Sequence, residues 1–124
     1  MSVQVFETER PKDPSAAGKK GRRSKDVQFI TRLIPGGLQR FQRDFLEELF
    51  SLGPGGRPKY TSALWGLPRG NGKTEVAAAV ALDKLAGPGS TRQGEVIICA
   101  ASRDQAMMAY TAARRMARRR SRSA

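Results

Sequence analysis

Three glycine–proline clusters cut this chain into segments before any other pattern is weighed. Pro35-Gly36-Gly37, Gly53-Pro54-Gly55-Gly56 and Gly87-Pro88-Gly89 each end the element that runs into them. Proline lacks the amide that a helix interior uses, and glycine enters turn conformations at little steric cost. Between the clusters the apolar spacing is clear. Leu38, Phe41, Phe45, Leu49 and Leu52 recur at steps of three and four, which predicts an amphipathic helix over 38–52. Gln42 lies four residues from both Leu38 and Leu46 and so borders the apolar stripe. A second helix is predicted over 74–85, where Val76 to Leu82 is apolar on most sides and expects cover from several directions. A third begins at Ser102, which forms an S-x-x-Q capping box with Gln105.

Three other segments favour extended backbone. Val27 to Ile34 is a short one, closed by the first cluster. Tyr60 to Leu67 is largely apolar and aromatic and predicts a strand. Glu95 to Ala101 carries the uninterrupted run Val96-Ile97-Ile98-Cys99-Ala100-Ala101, typical of a parallel strand covered on both faces. Cys99 is expected to be buried there as a small hydrophobe. The order helix–strand–loop–helix–strand–helix is an α/β arrangement. Residues 1–26 offer little apolar surface and are expected to form a disordered basic tail, leaving 27–124 as one small domain.

The 124 residues carry a formal charge of +12, unevenly spread. Residues 1–25 hold seven Lys/Arg against three Asp/Glu, and residues 105–124 hold six Arg and no acid. The middle is nearly neutral. Basic ends can contact phosphates, although such a run is commonly a solvated tail. Cys99 is the only cysteine and there is no histidine. An internal disulfide, a Cys/His zinc site and a Ser-His-Asp hydrolase are therefore excluded. No apolar run is long enough to span a bilayer and no secretory leader is evident, so the expected compartment is the cytoplasm.

The most informative segment is Leu67-Pro68-Arg69-Gly70-Asn71-Gly72-Lys73-Thr74. A phosphate-binding (Walker A) loop needs little side chain near the anion, so that backbone amides point inward. It needs a lysine for the β- and γ-phosphates and a hydroxyl for magnesium. The helix that follows turns its positive end to the same anion. Gly70, Gly72, Lys73 and Thr74 meet those demands. The first glycine of G-x-x-x-x-G-K-[ST] would fall at residue 67, which is Leu, and Gly66 stands one position early.

Read through Glu75, this string resembles the deviant Walker A of tailed-phage terminase large subunits, in which the first glycine is often absent and an arginine stands inside the loop. Phe41-Gln42 resembles the upstream adenine-binding glutamine motif of that family. Ala100-Ala101-Ser102-Arg103-Asp104-Gln105-Ala106 resembles the segment after its second strand. The match covers roughly residues 28–113, with three motifs in order. It implies an incomplete P-loop NTPase of the ASCE type, with a parallel sheet and flanking helices. It also implies ATP and Mg2+ as cofactors. Lys73 would hold the β- and γ-phosphates and Arg69 would approach the γ-phosphate, making these two the catalytic candidates. Gly70, Asn71 and Gly72 would shape the cradle, Thr74 would ligate magnesium, and Gln42 would meet the adenine edge. Gln105 is sufficiently explained by its capping box. The partners implied for the whole motor are double-stranded DNA, the terminase small subunit and the portal, with no membrane.

The family's later acidic strand (Walker B), its coupling motif and its nuclease domain cannot be placed in this chain. In the family's sheet the Walker A strand lies beside that acidic strand, so 60–67 and 95–101 would lack a joining neighbour and the chain is expected to be marginally stable. The stretch from Arg114 to Ala124 is either a basic helix face or a shifted reading of GC-rich DNA. The second is the expectation, and restoring the frame should reveal an acidic strand downstream. Two other functions remain open: another P-loop NTPase fragment, or a small basic nucleic-acid-binding protein without catalysis.

Overall fold

The computed structural model describes residues 3–4, 24–68 and 70–123. In chain order the elements are β1 (Val3–Gln4), α1 (Lys25–Leu33), α2 (Arg40–Leu49), a short 3₁₀ turn (Pro54–Gly56), β2 (Leu64–Trp65), α3 (Lys73–Ala86) and α4 (Arg103–Ser123). Apart from Val3, Gln4 and Ser24–Asp26, the expected disordered tail 1–26 lies outside the described residues.

Among the described residues four helices make the body. Ser24 caps α1, its hydroxyl accepting from the Val27 amide at 3.5 Å, and Asp26 sits in the first turn where negative charge is favoured. Val27, Phe29, Ile30 and Leu33 then turn inward. They meet Phe45 and Leu46 of α2, Val76, Ala78 and Ala79 of α3, and Met116 of α4 in one core. Ala78 and Ala79 are completely buried. Their small side chains let α1 and α4 approach the α3 backbone closely, so an alanine-rich helix ends up at the centre. Arg120 completes the seam between α4 and α1, its guanidinium 4.5 Å from the centroid of the Phe29 ring.

The parallel sheet expected of an α/β P-loop domain is not what forms. Among the described residues the only paired strands are β1 and β2, an antiparallel ladder of two residues each, with Val3 opposite Trp65 and Gln4 opposite Leu64. Val27 to Ile34 is helical, not extended. The step of three from Val27 through Ile30 to Leu33, together with the Ser24 cap, outweighs the β-branched composition. Of the strand expected over 60–67 only Leu64–Trp65 forms. Residues 95–101 form no regular element. Their burial alternates, Val96 and Ile98 half-buried while Ile97 and Cys99 are exposed, so Cys99 is not the buried residue it was expected to be. A helix satisfies its own amides and carbonyls, whereas an extended run depends on a neighbouring ladder. No described segment supplies one to 95–101.

The helices hold close to their expected places. The first is trimmed at both ends to Arg40–Leu49, the second runs Lys73–Ala86, and the third starts one residue after Ser102, whose hydroxyl accepts from the Gln105 amide at 3.3 Å. The path from α2 to β2 is tied back to α2 at Glu48, whose carboxylate accepts from Lys59 Nζ at 3.1 Å and from the Tyr60 hydroxyl. The Tyr60 bond, then Lys59, holds the Glu48 carboxyl below its ordinary pKa despite partial burial. No helix among the described residues is long and apolar enough to cross a membrane.

Candidate functional site

The glycine-rich turn stands between β2 and α3, and packing fixes both of its flanks. On the upstream side, Trp65 stacks on Phe45, with ring centroids 4.5 Å apart and an angle of 4° between planes. Phe41 lies against the same indole at 6.4 Å, tilted by 50°. Two rings of α2 therefore hold the residue just before Gly66. On the downstream side, Val76 is buried in the core and its amide donates to the Gly72 carbonyl at 3.0 Å, closing the first bond of α3.

Between those anchors the backbone needs glycine at two points. Gly70 has φ +87° and Gly72 has φ +75°, the left-handed region that side chains resist. At Gly72 there is a second constraint. A Cβ there would fall 2.9 Å from Gln42 Nε2.

Three side chains bind the turn to itself and to α2. Lys73 Nζ donates back to the Leu67 carbonyl at 2.6 Å, spanning the loop. Asn71 Nδ2 donates to the Pro68 carbonyl at 2.9 Å. Gln42 is 6% exposed, its Nε2 donating to the Asn71 carbonyl at 3.1 Å and its Oε1 accepting from the Gln39 amide at 2.9 Å. That last bond is also half of the capping box that starts α2. Gln42 thus stands behind the turn, with most of its amide engaged in holding it. Thr74 is exposed on the first turn of α3, and Arg69 lies outside the described residues.

The start of α3 differs from the others. Side chains cap α1 through Ser24, α2 through the capping-box pair Gln39 and Gln42, and the first turn of α4 through Ser102. Gly72 at the head of α3 has no side chain, and no side-chain cap bond is made there. The opening amides of a helix have no intrahelical acceptor. Here they belong to Lys73, Thr74 and Glu75, with the positive end of a 14-residue helix behind them. Glu75 adds one negative charge to that first turn, which Lys73 offsets.

Gly70, Asn71, Gly72, Lys73 and Thr74 lie in one turn, and Gln42 reaches it through the Asn71 carbonyl. What the sequence did not reveal is Gln39, Leu67 and Trp65 as the turn's supports. The Gln39-x-x-Gln42 spacing was the available signal for the first of these. Among the described residues no group of three or more His, Cys, Asp or Glu converges to hold a metal ion. Comparisons with protein-family models, curated proteins and solved structures found no match to this chain.

Proposed function

We propose that the 66–74 turn binds the phosphates of ATP together with magnesium, and that the chain is part of a terminase-type DNA-packaging ATPase. The observation that carries this reading is the uncapped start of α3. Its free amides are combined with left-handed glycines at 70 and 72 and a lysine already folded over the loop.

The residues fit a triphosphate in three respects. The glycines keep side chains away from the anion. The amides of Lys73 and Thr74 would supply donors, and Lys73, now bonded to the Leu67 carbonyl, would hold a phosphate oxygen. Thr74, exposed on the same turn, would offer its hydroxyl to the cation. Bound ATP and magnesium would supply the transferable phosphoryl group and the neutralising charge. Gln42 contributes by fixing the Asn71 carbonyl, which holds the turn in its shape. In this reading double-stranded DNA, a small subunit and a portal are partners of the whole motor, which works in the cytoplasm of the host cell.

Calorimetric titration with Mg-ATP tests the reading. Wild-type protein should bind, Lys73→Ala should weaken binding at least about ten-fold, and Thr74→Ala should remove chiefly its magnesium dependence. Equal binding by wild type and Lys73→Ala would sink it.

A further inference from the structure

The seven arginines of α4 are sorted by side. At 100° per residue, Ala112, Ala113, Met116 and Arg120 occupy the side turned to α3 and α1, where Met116 is 4% exposed and Arg120 covers Phe29. Arg114, Arg115, Arg118 and Arg122 fall within an arc of about 100° on the other side, and Arg119 borders it. All are exposed. Among the described residues no carboxylate pairs with Arg115, Arg118 or Arg122. Asp104, the only acid of α4, lies in its first turn, far from them. From Arg114 to Arg122 the row is about 12 Å long.

We propose that this face of α4 is a docking surface for the phosphate backbone of duplex DNA, reading shape and charge rather than sequence. A single helix about 10–12 Å across fits the B-form major groove, about 12 Å wide, where a broad arginine arc meets the phosphates of both edges. The deep, narrow major groove of A-form RNA does not admit it. An anionic membrane would need an apolar stripe running beside the arginines; over 112–120 the apolar side of α4 is covered by α3 and α1, and the exposed Met107, Met108 and Tyr110 lie upstream of the row rather than along it. The core side of α4 fixes the helix beneath the row, so binding has only the arginine side chains to order. This surface is separate from the 66–74 turn and does not depend on its nucleotide.

The test is fluorescence anisotropy of a labelled 24-base-pair DNA duplex titrated with the full chain over a series of salt concentrations. Arg118→Gln should weaken binding about eight-fold at 0.1 M salt and lower the slope of log K against log salt by about 0.9, one phosphate contact. Arg120→Gln removes the same charge from the side facing α1, where the exposed guanidinium lies over Phe29, and should leave both unchanged, with circular dichroism confirming that the helix persists. The triple change Arg115→Gln, Arg118→Gln, Arg122→Gln should weaken binding more than about 100-fold. Lys73→Ala should have no effect on DNA binding, so failure here is separable from failure of the nucleotide reading.

Equal losses from Arg118→Gln and Arg120→Gln would overturn the proposal, because net charge alone would then explain binding. It is also overturned if an RNA duplex binds as tightly, or if vesicles of anionic phospholipid bind and DNA does not. A fourth overturning result is loss of binding on changing Lys19, Lys20, Arg22 and Arg23 to Gln while the triple α4 variant keeps it.

Discussion

The two ends of α3 handle unsatisfied charge in opposite ways. At the start, glycine replaces a capping side chain, and the amides of Lys73 and Thr74 have no side-chain cap while the helix dipole stands behind them. At the finish, Asp83 is completely buried, and neither of its carboxylate oxygens has a hydrogen-bond donor. Asp26 of α1 stands beside it with one oxygen also unpartnered, and Lys84 Nζ is 3.7 Å from Asp83 Oδ2. Carbonyls at a helix end repel a carboxylate. Burial first, then Asp26, push the Asp83 carboxyl up to about 6, with Lys84 pulling the other way. A proton on one carboxyl supplies the donor that the other lacks. The first end is arranged to receive a charge from outside; the second is relieved by losing one.

Gln42 offers the largest break in that contrast, because it holds the receiving end in shape. Gln42→Leu removes both bonds of a buried amide, leaving the half-buried Asn71 carbonyl and the Gln39 amide without their partner. Two such losses should cost roughly 3 kcal/mol. Urea denaturation would show this as a lower midpoint, and Mg-ATP affinity should fall with it. An unchanged midpoint would mean that the turn is held elsewhere.

Asp83→Asn sharpens the comparison at the other end, with an opposite sign. A carboxyl whose pKa is raised on folding stabilises the fold in its protonated form. That stabilisation is full below pH 3.8, the ordinary value, and is lost as pH rises through about 6. Asp83→Asn should therefore stabilise the protein by roughly 2 kcal/mol at pH 8 and by little at pH 4. Thermal melts at the two pH values check it, and a pH-independent difference would contradict the buried-carboxyl account. Glu48 works the other way: its lowered pKa contributes stability above the usual carboxylate range that is lost as pH falls.

Gly72→Ala is the smallest of the three. A left-handed alanine costs about 1 kcal/mol, and its methyl would also press on the Gln42 amide, 2.9 Å away. The melting temperature should drop by several degrees, whereas Gly66→Ala, with open space around its Cβ, should not lower it comparably. Equal effects at the two glycines would remove the special conformation from the account.

Helices and turns were legible in the sequence because their signals are local. Leu38 through Leu52, the Ser102–Gln105 box and the three glycine–proline clusters each involve residues within one or two turns of one another. The glycine-rich turn was legible for the same reason. The extended segments were not, since Val96 to Ala101 carries a strand's composition without a neighbour to pair with, and pairing is decided elsewhere in the chain. Val27 to Ile34 shows the converse, where β-branched residues sit in a helix because their step of three matches the core. Nothing in the local sequence sets Asp83 apart from the other acids. Its burial follows from the close approach that Ala78 and Ala79 allow, and from Gly87 and Gly89, where a Cβ would fall within 3 Å of its carboxylate.

Trp65 is the chain's single tryptophan. It is stacked on Phe45 one residue before the glycine turn begins, and its indole nitrogen is buried without a partner. A fluorophore so placed is a built-in optical gauge. Anything that tugs the 66–72 backbone disturbs the stack and the polarity around the indole, so the emission spectrum of the unlabelled protein carries a signal of the turn's state.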